Sequence, residues 1–135
     1  IAPDPRWLVP SADPIEIYTM ANGYNSTYCW LEDHAPPHGV TAIVTTCDAA
    51  GLGAMRAVHD HGLSVPGDIS ITGFDGLEFG RYCVPSLTTV VQPTDEIAKQ
   101  TSRFLIHAIT GRTEEQVPRS IRGELLLAES TGPVL

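Results

Sequence analysis

Val65-Pro66-Gly67-Asp68-Ile69-Ser70-Ile71-Thr72-Gly73-Phe74-Asp75 holds a turn, a strand and the start of a loop in one short run. Pro66 presets φ and Gly67 tolerates a tight reversal, so the pair predicts a turn. Asp68–Phe74 follows with Ile69, Ile71 and Phe74 as apolar positions, which predicts a strand buried in a parallel sheet. Gly73 and Gly76 bracket Asp75, placing a carboxylate in a loop at that strand's carboxyl end.

The flanks repeat the theme. Upstream, Val40–Thr46 is a short β-branched run that predicts another strand buried on both faces. Asp48 is positioned to cap a helix over 49–61, with Gly62 as its stop. Further back, Ile15–Tyr18 predicts a strand, and Asn22 predicts the cap of a helix over 23–33 that Pro36 and Pro37 bring to an end. Residues 1–14, with Pro3, Pro5, Pro10 and Pro14, read as extended chain. Downstream, Pro85 precedes a strand at Thr88–Gln92. Thr94 is expected to cap an amphipathic helix over 95–110, whose apolar stripe is Ile97, Phe104, Leu105, Ala108 and Ile109 and whose stop is Gly111. Glu124–Ala128 predicts a last strand. The order β-α-β-α-β-β-α-β means an α/β fold with a mostly parallel sheet flanked by helices.

The chain has 135 residues, 42% hydrophobic and 18% charged, which suits a globular domain with a sizeable core. Eight basic residues against sixteen acidic ones leave a net charge of −8, a surface that repels phosphate backbones. Direct contact with DNA is therefore not expected of this segment. No apolar run approaches the roughly 18 residues a membrane span needs, so no membrane partner is implied. Cys29, Cys47 and Cys83 are odd in number and lack C-x-x-C spacing, which points to free thiols and a cytoplasmic setting. The chain opens on Ile1 without a signal-peptide pattern, and reads as a fragment.

In open α/β sheets, ligands bind beyond the carboxyl ends of the strands. Tyr18, the pair Cys47-Asp48, and Asp75 each follow a predicted strand. A carboxylate accepts hydrogen bonds from adjacent hydroxyls, and an aromatic ring stacks on a sugar or base, which is the chemistry of a small polyol or nucleobase site. Each residue also has a purely structural explanation. Asp48 serves as a helix cap, Asp75 as the acceptor of an Asx turn, Tyr18 as a core plug and Cys47 as a small buried hydrophobe.

Other chemistries find less support. Asp48-Ala49-Ala50-Gly51-Leu52-Gly53 imitates a dinucleotide fingerprint, but Gly51 and Gly53 fall within the helix and Asp48 puts negative charge where a pyrophosphate would sit. The two glycines instead suggest close helix packing. His59 and His61 are two apart and diverge on a helix, and His34 and His38 flank Pro36-Pro37, so no metal is expected. Neither a G-x-S-x-G elbow nor a Cys–His pair at a telling position occurs, so an enzyme is not expected, and no cofactor is implied. Asn25-Ser26-Thr27 fits a glycosylation sequon but falls in a predicted helix.

Taken together, several runs resemble the regulatory core of the LacI/GalR family of transcription repressors. They are Ala50-x-Gly-Leu-Gly-Ala-Met-Arg-Ala57, Gly62-Leu63-x-Val65-Pro66 leading to Asp68-Ile69-Ser70-Ile71-x-Gly73-Phe74-Asp75, Pro85-Ser-Leu-Thr-Thr-Val-Val-Gln-Pro93, and the closing Leu126-Leu-Ala-Glu-Ser-Thr131. The resemblance spans about residues 15–131. It implies the type I periplasmic-binding-protein-like fold, two α/β lobes with an effector between them, of which this chain is the C-terminal part. The implied division puts 1–86 in the C-terminal subdomain, 87–120 in the N-terminal one, and 121–135 back in the first as strand and tail.

The resemblance also assigns roles. Tyr18 matches the family's effector-stacking aromatic and Asp75 its effector-binding aspartate, with Asp48 supporting. Cys47 stands where the family often has Asn or Ser, and Ala128 where Arg is usual. Leu52, Met55, Tyr82 and Cys83 are implied at or near a homodimer interface, although internal core is the competing reading. Operator DNA would be reached only through a helix-turn-helix domain outside this chain. A secreted sugar-binding protein of the same fold is the alternative. A piece lacking half its sheet is expected to self-associate.

Overall fold

The computed structural model describes residues 8–13, 15–34, 39–111 and 120–133. The elements run α1 (Met20–His34), β1 (Ala42–Val44), α2 (Asp48–Asp60), β2 (Ser70–Asp75), a 3-10 turn (Glu78–Arg81), β3 (Thr88–Val91), α3 (Thr94–Thr110) and β4 (Glu124–Leu126). The strands form one sheet in the order β1-β2-β3-β4. The first three are parallel and β4 is antiparallel to β3. The α/β class and the mostly parallel sheet are as expected from the sequence.

Small residues bring the two long helices together. A Cβ at Gly53 would collide with the backbone of Met20 and Tyr24, and one at Gly23 with that of Ala50. The backbones of α1 and α2 therefore touch at Gly53 and Gly23, while Gly51 faces the side chains of Thr45 and Leu87. Tyr28 packs on His61 with ring centroids 4.3 Å apart, further along the same pair. The helices run in the same direction, so both N-termini lie at the carboxyl end of the parallel strands. Trp30 and Leu31 of α1, with Ala54 and Val58 of α2, close over Ile43, Ile69, Ile71 and Leu87 to make the core.

The opposite sheet face is open among the described residues: Val44 is 82% exposed, and Phe74 is exposed too. The expectation that the Val40–Thr46 strand is buried on both faces is thus corrected. Ile43 alone of β1 is buried, because helices cover one side. Ser130 ties the tail into the sheet. Its backbone accepts from Ile71 N at 2.8 Å and donates to Ser86 O at 2.9 Å, and its hydroxyl donates to Ile71 O at 2.6 Å.

Three local expectations fail for identifiable reasons. Ile15–Tyr18 is a turn, not a strand, because Asp13 Oδ1 accepts from Ile15 N at 2.7 Å and Glu16 N at 3.3 Å. Thr19 rather than Asn22 caps α1, its Oγ1 accepting from Asn22 N at 3.1 Å. Asn22 lies buried within the first turn, accepting from Asp13 N and donating to Ser11 Oγ. At α3 the cap position is Pro93, and Thr94 is the first helical residue. Gly111 ends α3 at φ +69° as expected. Helix α3 buries none of its residues, and Ile109 is 83% exposed. Pro36, Pro37 and the start of the N-terminal run lie outside the described residues.

Candidate ligand site at the carboxyl edge of the sheet

The connections that leave the carboxyl edge of β1 and β2 meet strand β3 around Asp48. This residue opens α2 and has no exposed surface. Its Oδ2 accepts from Leu77 N at 2.6 Å and its Oδ1 from Thr89 Oγ1 at 2.5 Å. Thr89 Oγ1 in turn accepts from Gly76 N at 3.3 Å. A side chain at Gly73 would strike the Asp48 carboxylate, so glycine there leaves room for it. Asp48 thus locks α2, the loop after β2 and strand β3 to one another. Both of its oxygens are engaged and buried, which suits a positioning role. It is not the helix cap: Cys47 is, its Sγ accepting from Ala50 N at 3.4 Å. Cys47 is buried as well.

Asp75 is different. It ends β2, is half-exposed, and has φ +129°, the one non-glycine residue with positive φ among those described. Such a backbone costs an L-residue on the order of 1–3 kcal/mol and persists only where its surroundings enforce it. Gln92, at the end of β3, donates from Nε2 to Asp75 Oδ1 at 2.6 Å and from its backbone N to Asp75 O at 3.2 Å. Asp75 Oδ2 keeps acceptor capacity that no protein donor claims among the described residues.

Tyr18 lies in the turn before α1, 65% exposed. Because α1 and α2 run in the same direction, Tyr18 sits at the end of the layer where Asp75 leaves the sheet. The structure therefore brings Asp48 together with the Asp75 loop, while Tyr18 is exposed in the turn before α1. Gln92 and Thr89 escaped the sequence reading. Their signal was available as polar residues placed along and at the end of the Thr88–Gln92 strand.

Two grooves lie elsewhere. One of about 570 Å³ runs beside the open edge of β1, between Leu8, Ile17, Trp30 and Val44. The other, about 490 Å³, is lined by Leu52, Met55, Cys83, Val84, Arg56 and His59 among others. Neither includes Tyr18, Asp48 or Asp75. Three of the four expected interface residues thus share the second groove, though Met55 is also buried in the core. Tyr82 is 77% exposed close by. The Cys83 thiol donates to Gly80 O at 3.0 Å and Pro85 O at 3.2 Å, and burial pushes its pKa up, which keeps it protonated.

On the same side, Arg56 Nε reaches both Asp60 oxygens at 2.9 Å and holds that carboxyl below the usual range. His59 and His61 diverge, one toward Asp60 and the other onto Tyr28. Among the described residues no three His, Cys, Asp or Glu side chains are grouped to share a metal ion, and no helix is long and apolar enough to cross a membrane.

The sequence pattern of the periplasmic binding protein-like domain matches residues 5–131. The ribose operon repressor of Halalkalibacterium halodurans is 36% identical over 92% of this chain and 35% of its own length. The repressor CytR of Escherichia coli is 35% identical over 84% of the chain and 33% of its own length. A solved LacI-family regulator from Sanguibacter keddieii superposes with a TM-score of 0.79, at 30% identity, over 98% of this chain and 48% of that one. A second, from Enterococcus faecium with bound ribose, gives 0.75 at 26% identity over 95% and 44%. The chain spans about a third of the length of these curated relatives. A sheet with its polar groups gathered at the carboxyl edge, and a family pattern matched from residue 5 to residue 131, lead to one conclusion: the chain belongs to the periplasmic binding protein-like domain family, and its relatives there are LacI-type regulators.

Proposed function

We propose that this chain is the C-terminal part of the effector-sensing region of a LacI-type repressor, in which a sugar or nucleobase-like effector controls operator binding. The observation that carries the reading is Asp75. A non-glycine residue is kept at φ +129° on the ligand-binding edge of an α/β sheet, with one carboxylate oxygen uncommitted to donors among the described residues. Asp75 accepts the effector's hydroxyl or amine hydrogen, and Tyr18 offers the stacking face.

Because β3 pairs with β2 and Leu87 lies in the core, the expected break at 86/87 moves to the end of β3: this chain up to about residue 92, with 121–135, forms the larger part of one lobe, and the segment that begins with α3 belongs to the other. The unburied α3 supports that division, since a helix with apolar Phe104, Leu105 and Ile109 on its surface needs a cover that the described residues do not supply. The facing wall of the effector cleft belongs to that second lobe, which accounts for Asp75 lining neither groove. The groove at Leu52, Met55 and Cys83, with Tyr82 beside it, is the homodimer contact. DNA is bound by a separate helix-turn-helix domain, in the cytoplasm, and the protein carries out no catalysis. The reported relatives are regulators, which favours this reading over a secreted sugar-binding protein.

Effector must bind the two lobe arrangements with different affinity in order to change DNA affinity. Asp75→Ala in the intact protein is expected to abolish effector-induced release from operator while leaving operator affinity intact. An unchanged response in an operator-release titration would refute the assignment.

A further inference from the structure

We propose that Gln92 is the relay through which occupancy of Asp75 reaches helix α3, a role that rests on reading Asp75 as the effector contact. Gln92 is bonded to Asp75 twice, by its side-chain amide at 2.6 Å and by its backbone N at 3.2 Å. It is also the residue before Pro93, the cap position of α3. Its carbonyl accepts from Thr94 N at 2.9 Å, and Pro93 O accepts from Ile97 N at 3.0 Å. Asp75, Gln92 and the first turn of α3 therefore form one continuous hydrogen-bonded path.

The rest of the Asp75 loop is held still. Gly76 and Leu77 are anchored through Thr89 and Asp48, deep in the domain. Helix α3, by contrast, buries no residue against the described part of this chain, and the lobe proposed to cover it is the one whose arrangement the effector is proposed to shift. A change at the Asp75 carboxylate has one compliant exit, the Gln92 amide. A ligand hydroxyl or amine donating to Asp75 either replaces Gln92 on Oδ1 or adds to Oδ2 and draws on the same charge. Each alters the Gln92 bond and with it the residue that starts α3.

Gln92→Leu keeps the side-chain size and removes the donor. In the intact protein, ribose, lactose and cellobiose are titrated by calorimetry, and hydrogen exchange is followed at the amides of residues 94–100 with and without each sugar. In the wild type, a sugar that binds is expected to change exchange at these amides several-fold. In Gln92→Leu, affinity is expected to stay within about tenfold, the scale of one hydrogen bond, while the exchange response disappears. Gln92→Asn, whose amide falls one methylene short of Asp75, is expected to behave the same way.

A full response in both variants would overturn the relay. So would a parallel loss of affinity and response, which marks a residue that only shapes the site. A wild type that binds neither these sugars nor adenine and uracil, titrated alongside them, or an Asp75→Ala variant that binds as well as wild type, would instead remove the sensor reading and the relay with it.

Discussion

Replacing Asp48 by alanine measures how much the lock at the sheet edge contributes. The carboxylate is wholly buried and accepts from Leu77 N and Thr89 Oγ1. Alanine strands both donors, and each unsatisfied buried group costs about 1–3 kcal/mol. Partial relaxation toward solvent trims the total, so a loss of about 3 kcal/mol is expected. That is a large share of the roughly 5–15 kcal/mol that holds a domain together, and it corresponds to about 10 °C in Tm. Asp48→Asn keeps one acceptor and is expected to lose about 1–2 kcal/mol.

Urea unfolding followed by the fluorescence of Trp30, buried between α1 and the sheet, reads these values. Thr89→Val removes the partner hydroxyl, so the Asp48→Ala/Thr89→Val cycle should show coupling of about 1 kcal/mol or more. An Asp48→Ala variant within about 0.5 kcal/mol of wild type, the range of an unremarkable surface change, would refute the lock.

Gly53→Ala drives a Cβ into the backbone of Met20 and Tyr24, and is expected to cost about 1–3 kcal/mol by thermal melt despite alanine's better helix propensity. Hydrogen bonds from Ser64 hold the Asp68 carboxyl below its ordinary value, and those from Ser86 do the same for Glu129. Because the folded pKa is the lower one, this stabilisation is present above the ordinary carboxylate range near about 4 and fades as pH falls through the depressed folded values. The Asp68→Asn/Glu129→Gln double variant should therefore show a shallower loss of Tm between neutral and acid pH, and an unchanged slope counts against it. The chain alone is expected to self-associate through its uncovered faces. Phe104→Lys with Ile109→Lys should shrink the species seen in light scattering without lowering Tm, since both positions are exposed.

The elements that could be read from sequence are those with strong punctuation. The run from Pro66 to Asp75 carries its own turn and glycines, and β2 falls within a few residues of expectation. Helix α2 was legible from its Gly62 stop, but its cap fell one residue early. Asp48 has the right chemistry for a cap, yet its oxygens go to Leu77 and Thr89, tertiary partners that no local pattern announces. Ile15–Tyr18 has strand-like composition, but Asp13 folds it into a turn through two backbone bonds that pattern reading does not weigh. The Val40–Thr46 run suggested burial on both faces because apolar composition does not reveal which neighbours a chain supplies. Within the candidate site, Asp75 and Tyr18 were visible as residues following predicted strands. Gln92 was not, because its partner lies 17 residues away across the parallel pair.

The central claim is that ligand occupies the edge at Asp75 and Tyr18. Its most direct test is an amide and side-chain NMR titration of the protein with ribose, lactose and cellobiose. The expected result is a saturable shift at Tyr18, Asp75, Gly76 and the Gln92 side-chain amide, with the buried Asp48 little moved. Shifts confined to the groove around Leu8, Ile17 and Val44, with Asp75 and Gln92 silent, would contradict it.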